Sequence, residues 1–156
     1  MTEKSQRLLV SAIPASLAGA AVSAPYLAIG SYGALSFLIF LFFSPVCHQD
    51  PARSFWIFGA PGAVCARCLG IYVGAAAGAF FRASRRMVLA ALAVALALNL
   101  TEWLTELAGL HDVWMTPRFA LGAALGAAMG ALVTGSAGAT LRSPCLRDSV
   151  VNQPSR

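Results

Sequence analysis

The sequence predicts an all-α fold, an integral membrane helical bundle of four or five transmembrane helices, and three observations carry that expectation. Of its 156 residues, 58% are hydrophobic and only 11% are charged. Soluble domains carry roughly a quarter of their residues as charges, so this chain lacks the polar groups needed to cover a water-facing surface. Second, Leu8 to Val46 runs 39 residues without a charge. Third, the basic residues behind the net charge of +5 sit at the ends of apolar runs, where they set topology. They form no stripe interleaved with aromatics, so no nucleic-acid partner is expected. The lipid bilayer is the expected partner, and a multi-pass protein of the cell (inner) membrane is the expected localisation.

One transmembrane domain is expected over residues 1–141, with a Cys/His loop at 47–68 and a polar tail at 142–156. One bilayer crossing needs about 20 apolar residues, so Leu8–Val46 is too long for one span and barely enough for two. Pro25 and Gly30-Ser31-Tyr32-Gly33 mark the break, giving helices over 8–29 and 34–45. Lys4, Arg7 and Val22-Ser23-Ala24 also fit a signal peptide and its cleavage site, but Pro25 directly after that site argues against cleavage. The loop contains Phe55, Trp56 and Phe58, residue types that gather at membrane interfaces. A third helix follows over 66–81 and ends at the basic run Arg82, Arg85 and Arg86. A fourth covers 87–107. Pro117 opens the fifth, which continues to Ala139, as proline suits a first helical turn. Cys145, alone in the tail, reads as a spare thiol.

The hairpin of the fourth and fifth helices puts Arg82, Arg85 and Arg86 on one side with Arg142 and Arg147. The positive-inside rule makes that side cytoplasmic, and the cysteine loop then faces outward. Two full crossings before the loop would place Lys4 and Arg7 outside, against the same rule. A single crossing followed by a broken or re-entrant piece removes the conflict. Under either topology Cys65, Cys68, Glu106, His111, Asp112 and Arg118 share one face.

The strongest chemical feature is Cys47-His48-Gln49 with Cys65-Ala66-Arg67-Cys68. Thiolate and imidazole are zinc ligands, and structural zinc takes four of them. Cys47, His48, Cys65 and Cys68 therefore form a candidate site for zinc or another transition metal. Neighbouring residues tend to point apart, so the three sulfurs come first and His48 is the fourth ligand or a support for it. The same C-x-x-C at a helix start could do thiol–disulfide work, because the helix dipole favours thiolate, and a quinone would then be the electron acceptor. The plainest alternative is a disulfide or structural metal that staples the loop.

Asn99, Glu102 and Glu106 are spaced to share one helical face. Carboxylates in a membrane helix turn to the bundle interior and find a partner, and Arg118 is within reach. A small transporter or channel path through Glu102 and Arg118 is a third possible use. Arg53 and Arg67 flank the cysteines and could bind an anion or a lipid phosphate. His111 is expected to be solvated. Gly70, Gly74 and Gly78, and Gly122, Gly126 and Gly130, form two smooth stripes that permit close helix packing in lipid, either within one bundle or in a homo-oligomer.

The run Cys47-His48-Gln49, Arg53-Ser54-Phe55 and Cys65-Ala66-Arg67-Cys68-Leu69-Gly70-Ile71-Tyr72-Val73-Gly74 resembles a family of small bacterial and archaeal membrane proteins catalogued as domain of unknown function 2085. The resemblance is dense from Cys47 to Gly74 and looser beyond. It implies an acidic residue on the fourth segment, usually Asp in the family, and an Arg followed by Gly on the fifth. Glu102 or Glu106, with Arg118 and Gly122, would fill those roles. It implies an architecture and a site, and no activity.

Overall fold

A computed structural model describes residues 3–140; Arg142, Cys145, Arg147 and the rest of the expected tail lie outside the described residues. Five helices make up almost all of it: α1 (Glu3–Ile29), α2 (Gly33–Phe43), α3 (Ala66–Gly78), α4 (Arg85–Leu107) and α5 (Met115–Thr140). Between α2 and α3 lie a 3-10 turn (Pro51–Arg53) and a two-stranded hairpin, β1 (Trp56–Ile57) and β2 (Ala60–Pro61). Three segments, Lys4–Ile29, Arg85–Leu107 and Met115–Gly135, are long and apolar enough to cross a membrane. Their large apolar side chains, such as Leu8, Ile13, Leu96 and Leu100, are exposed on the bundle surface, as an apolar solvent requires. The chain is an all-α membrane bundle.

Before the cysteines, α1 is long and apolar enough to cross a membrane, and the chain then turns back along it. Arg7 Nη1 donates to the Ala79 carbonyl at 2.9 Å and Ser11 Oγ to the Ala76 carbonyl at 3.0 Å, so α1 begins where α3 ends, and the two run antiparallel. Arg7 therefore lies near the Arg82–Arg86 end of the bundle. After the Gly30–Tyr32 turn, α2 packs back along α1, with Ser36 Oγ donating to the Ala24 carbonyl at 2.9 Å. Its 11 residues rise only about 16 Å, half of a hydrocarbon core of about 30 Å. That length is too short for a second full crossing and suits the re-entrant alternative.

The break falls at Gly30–Tyr32, as the expected helix over 8–29 has it, and Pro25, grouped with that break in the sequence, lies inside α1. It is fully buried inside α1. Proline has no N–H, so it leaves the carbonyl four residues earlier without its helical donor. That carbonyl belongs to Ala21, and the backbone N–H of Ala63, in the loop before α3, donates to it at 3.4 Å. A missing donor in α1 thus becomes the anchor for the cysteine loop.

The centre of the bundle is the parallel pair α3 and α5. Gly70, Gly74 and Gly78 face the backbone of Phe119, Ala123 and Ala127, while Gly122, Gly126 and Gly130 face that of Arg67, Ile71 and Ala75. A Cβ at any of the six would overlap a backbone carbonyl oxygen of the facing helix. The two stripes interleave within one chain, and each helix lies in the groove left by the other's missing side chains. In lipid, where no water is released between helices, such close packing is a main source of association.

This seam yields a direct test. Gly74→Leu and Gly126→Leu should each lower stability in detergent by at least about 2 kcal/mol, because overpacking against backbone cannot relax by a rotamer change. Gly19→Ala, at a position with open space beside it, should be neutral or slightly stabilising. Thermal unfolding of the three variants would expose the error if all behaved alike.

Candidate functional site

Adjacent residues in the loop point in different directions, and that sorts their roles. After α2, Cys47 turns inward and is buried, His48 points out and is exposed, and Gln49 turns inward again. Gln49 adopts a left-handed backbone, φ 53°, and its Nε2 donates to the carbonyls of Phe40 at 2.6 Å and Ala63 at 3.0 Å. It thereby ties the end of α2 to the chain entering α3. Asp50 Oδ1 accepts from Ala52 N at 2.9 Å and caps the 3-10 turn. Phe58 and Gly59 both have positive φ at the hairpin tip, as a two-residue primed turn demands. None of this short-range loop structure was expected from sequence, although Phe58-Gly59 carried a turn signal.

The loop delivers Cys47 to the start of α3. The sulfurs of Cys47, Cys65 and Cys68 all lie within 4.8 Å of one another. Cys65 is the N-cap of α3 and Cys68 lies one turn in. The Cys65 backbone N–H donates to Cys47 Sγ at 3.2 Å. Hydrogen bonds from the thiols of Cys65 and Cys68, and from this amide, hold the Cys47 thiol far below its ordinary range against the opposing effect of burial. The cluster is walled by Ala21, Ala24, Phe43, Ala63 and Val64, with Tyr72 packed beside it. His48 is not among the grouped ligand atoms.

A second polar centre lies on the other side of the same helical turn. Glu102 is 9% exposed and Arg118 3%. Arg118 Nε reaches Glu102 Oε1 at 2.8 Å and its Nη2 pairs with Glu106. Arg67 pairs with the other Glu102 oxygen. Arg53 Nη2 reaches Glu106 Oε1 at 2.9 Å, and its Nε lies 3.4 Å from Asp50. The charges alternate along one chain, Arg67–Glu102–Arg118–Glu106–Arg53, which ties the loop, α3, α4 and α5 together. Sequence spacing had pointed to the Glu102–Glu106 face and to Arg118 as its partner. Arg53 and Arg67, for which an anion or a lipid phosphate was one possible partner, meet these two carboxylates. His111 donates from Nδ1 to the Asp112 carbonyl at 2.7 Å, shares a hydrogen bond at 2.9 Å between Nε2 and the Thr105 hydroxyl of α4, and stacks on Trp114.

Arg118 is the member with most to lose. Removing one partner of a buried pair leaves an uncompensated charge and typically costs about 3–5 kcal/mol. Glu102→Gln should therefore destabilise the protein by an amount in that range, and more than Asp50→Asn, which touches only the half-exposed end of the chain. Chemical denaturation in detergent would measure both. Equal small effects would show that the network does not hold the fold.

Comparison with known proteins locates these features in a family. An uncharacterized protein of Methanocaldococcus jannaschii is 52% identical over 44 residues, a stretch that is 28% of this chain and 28% of the relative. The chain thus matches under a third of that relative's length. No solved structure matches the chain. A family model described as predicted membrane protein, DUF2085, matches residues 47–132. That range runs from the first clustered cysteine through the ion-pair chain to the end of the glycine seam. It covers more than half of the sequence, and the chain belongs to this family of membrane proteins.

Proposed function

We propose that the protein binds a thiophilic metal ion, zinc or another transition metal, through Cys47, Cys65 and Cys68 on the outer side of the cell membrane. The observation that carries this reading is the convergence of three sulfurs within 4.8 Å. Zinc–sulfur bonds of about 2.3 Å bring ligand sulfurs slightly closer than that, so a small contraction of the cluster would complete the site. Soft thiolates select zinc and copper(I) over harder ions. The Cys65 amide donating to Cys47 Sγ stabilises the thiolate form that a metal needs. His48 is exposed, which leaves the fourth position for an exogenous ligand. Sites with an open position are the reactive or exchanging kind rather than closed structural ones.

The side follows from charge. Lys4 and Arg7 begin α1, and Arg7 bonds to the end of α3 near Arg82, Arg85 and Arg86. The positive-inside rule makes that end cytoplasmic. The cysteines are at the opposite end of α3.

A second reading, thiol–disulfide exchange, is favoured by one observation, the placement of the C-x-x-C pair at the start of α3 with Cys65 as its N-cap, where the helix dipole favours thiolate. In it one thiolate of the Cys65–Cys68 pair attacks a substrate disulfide and releases the first substrate thiolate; the second cysteine then attacks the mixed disulfide, closing Cys65–Cys68 and releasing the second substrate thiolate. Elemental analysis of protein purified without chelator separates the two. The metal reading expects about one metal ion per chain, as a single cluster of this kind holds, and its loss in Cys65→Ser. Metal-free protein with a reducible cysteine pair would sink it in favour of exchange.

Sidedness has its own test. A His48→Cys variant should react with a membrane-impermeant maleimide on intact cells, and Arg85→Cys should react only after the membrane is opened. The reverse pattern overturns the orientation.

A further inference from the structure

The three donors that converge at the start of α3 are all sulfur, and their atoms lie within 4.8 Å of one another. Among the described residues no fourth His, Cys, Asp or Glu atom joins them. His48, next to Cys47 in the chain, is exposed. A zinc ion with three protein ligands takes water as its fourth, and polar neighbours hold and orient such ligands. The buried side chains packed around these sulfurs are Ala21, Ala24, Phe43, Ala63 and Val64, which offer a water no hydrogen bond. Gln49 turns inward beside them, but its Nε2 already donates to the Phe40 and Ala63 carbonyls.

Coordination number then decides between thiophilic ions. Soft thiolates select copper(I) and zinc, but zinc completes four ligands, whereas copper(I) is satisfied by two or three thiolates. Metal–sulfur bonds of about 2.3 Å set the corners of a planar three-sulfur site about 4.0 Å apart. That triangle lies inside the span of the cluster.

Three thiolates around one positive charge leave the centre anionic, and a buried anion needs donors. Arg67 lies between the two cysteines in the chain but is paired with Glu102. The backbone supplies the donors instead. Cys65 is the N-cap of α3 and Cys68 lies in its first turn, at the positive end of the helix dipole. The Cys65 amide donates to Cys47 Sγ at 3.2 Å, and the Gln49 amide donates to the same sulfur. Access is uneven. Cys47 is buried, while Cys65 and Cys68 are partly exposed, so an ion carried in on another thiol meets these two first.

We propose that Cys47, Cys65 and Cys68 form a three-coordinate, all-sulfur site for copper(I), loaded through Cys65 and Cys68. The site rests on the metal reading above and narrows it to one ion and one coordination number. Loading is a ligand exchange. As each bond from copper to a carrier thiolate breaks, one to a cysteine sulfur forms, and the cysteine proton passes to the departing thiolate. Copper stays copper(I) throughout, and no electron moves. The fourth position is empty at rest and admits the carrier thiol during exchange.

The test is X-ray absorption on the unsubstituted full chain, reduced and loaded without oxygen in detergent with equal amounts of copper(I) and zinc. It reads the bound ion and its neighbours together. The expected spectrum shows copper with three sulfur neighbours at about 2.3 Å and no nitrogen or oxygen, with zinc left in solution. His48→Ala should hold copper(I) as tightly as the parent against bicinchoninate, a competing copper(I) chelator. Cys68→Ser should lose copper to that chelator at a concentration at least about tenfold lower, equivalent to about 1.4 kcal/mol. Zinc retained in place of copper, or a nitrogen neighbour that disappears in His48→Ala, would overturn the proposal and leave the metal reading standing. Protein that takes up neither ion overturns both.

Discussion

Everything at the polar end of this bundle depends on the backbone contact between α3 and α5. Six glycines let the two helices approach until a Cβ would overlap the facing carbonyl. Such an interface has one register. Each helix turn rises about 5.4 Å, and sliding by one turn would bring side chains of other residues against the grooves. In the register found, the missing Cβ of Gly122 faces the carbonyl of Arg67. The first turn of α3 is thereby held level with the first turns of α5. That one alignment puts Arg67 and Arg118 within reach of the same carboxylate, Glu102. It also fixes the height at which Cys65 and Cys68 meet the incoming loop.

The ion-pair chain then does what the seam cannot, which is to connect elements that do not pack closely. Charges in a low-dielectric interior persist only when paired and fully hydrogen-bonded. Each carboxylate here takes two guanidinium partners, and Arg118 serves both. With three arginines and two glutamates, no carboxylate in the chain is left over. This argues against a conduction path through Glu102 and Arg118, since a permeating cation would find both acids engaged. The terminal member, Arg53, belongs to the loop that carries Cys47. The network therefore restrains the cysteine cluster from one side, while Gln49 and the Ala21 carbonyl restrain it from the other.

Features set by periodicity were legible in the sequence. Glu102 and Glu106 share a helix face by spacing alone. The glycine stripes announced close packing, and the run of apolar residues announced spans. Features set by single hydrogen bonds between distant segments were not. Pro25 read as a helix break because the local signal for proline is a lost donor; what the helix gained, an acceptor for Ala63, depends on a segment 38 positions away. The partner of Arg67 was not legible because Glu102, 35 positions away, is brought in by the fold. The short α2 could not be distinguished from a full span by composition, since an apolar helix buried against α1 and one facing lipid need the same residues. His48 was legible in part: its adjacency to Cys47 already argued that the two would point apart.

One turn of α3 serves two polar centres, and their depths agree. The loop docks on α1 at Ala21, eight residues before the end of that helix at Ile29, or about 12 Å by helical rise. Asn99 lies the same distance from the end of α4. The sulfurs and the ion-pair chain thus gather at one end of the bundle, where the loop meets α3, α4 and α5. Recessing charges and thiols into a helical bundle carries a desolvation cost. Pairing offsets that cost here: each buried carboxylate meets two guanidinium groups, and the Cys65 amide donates to Cys47 Sγ.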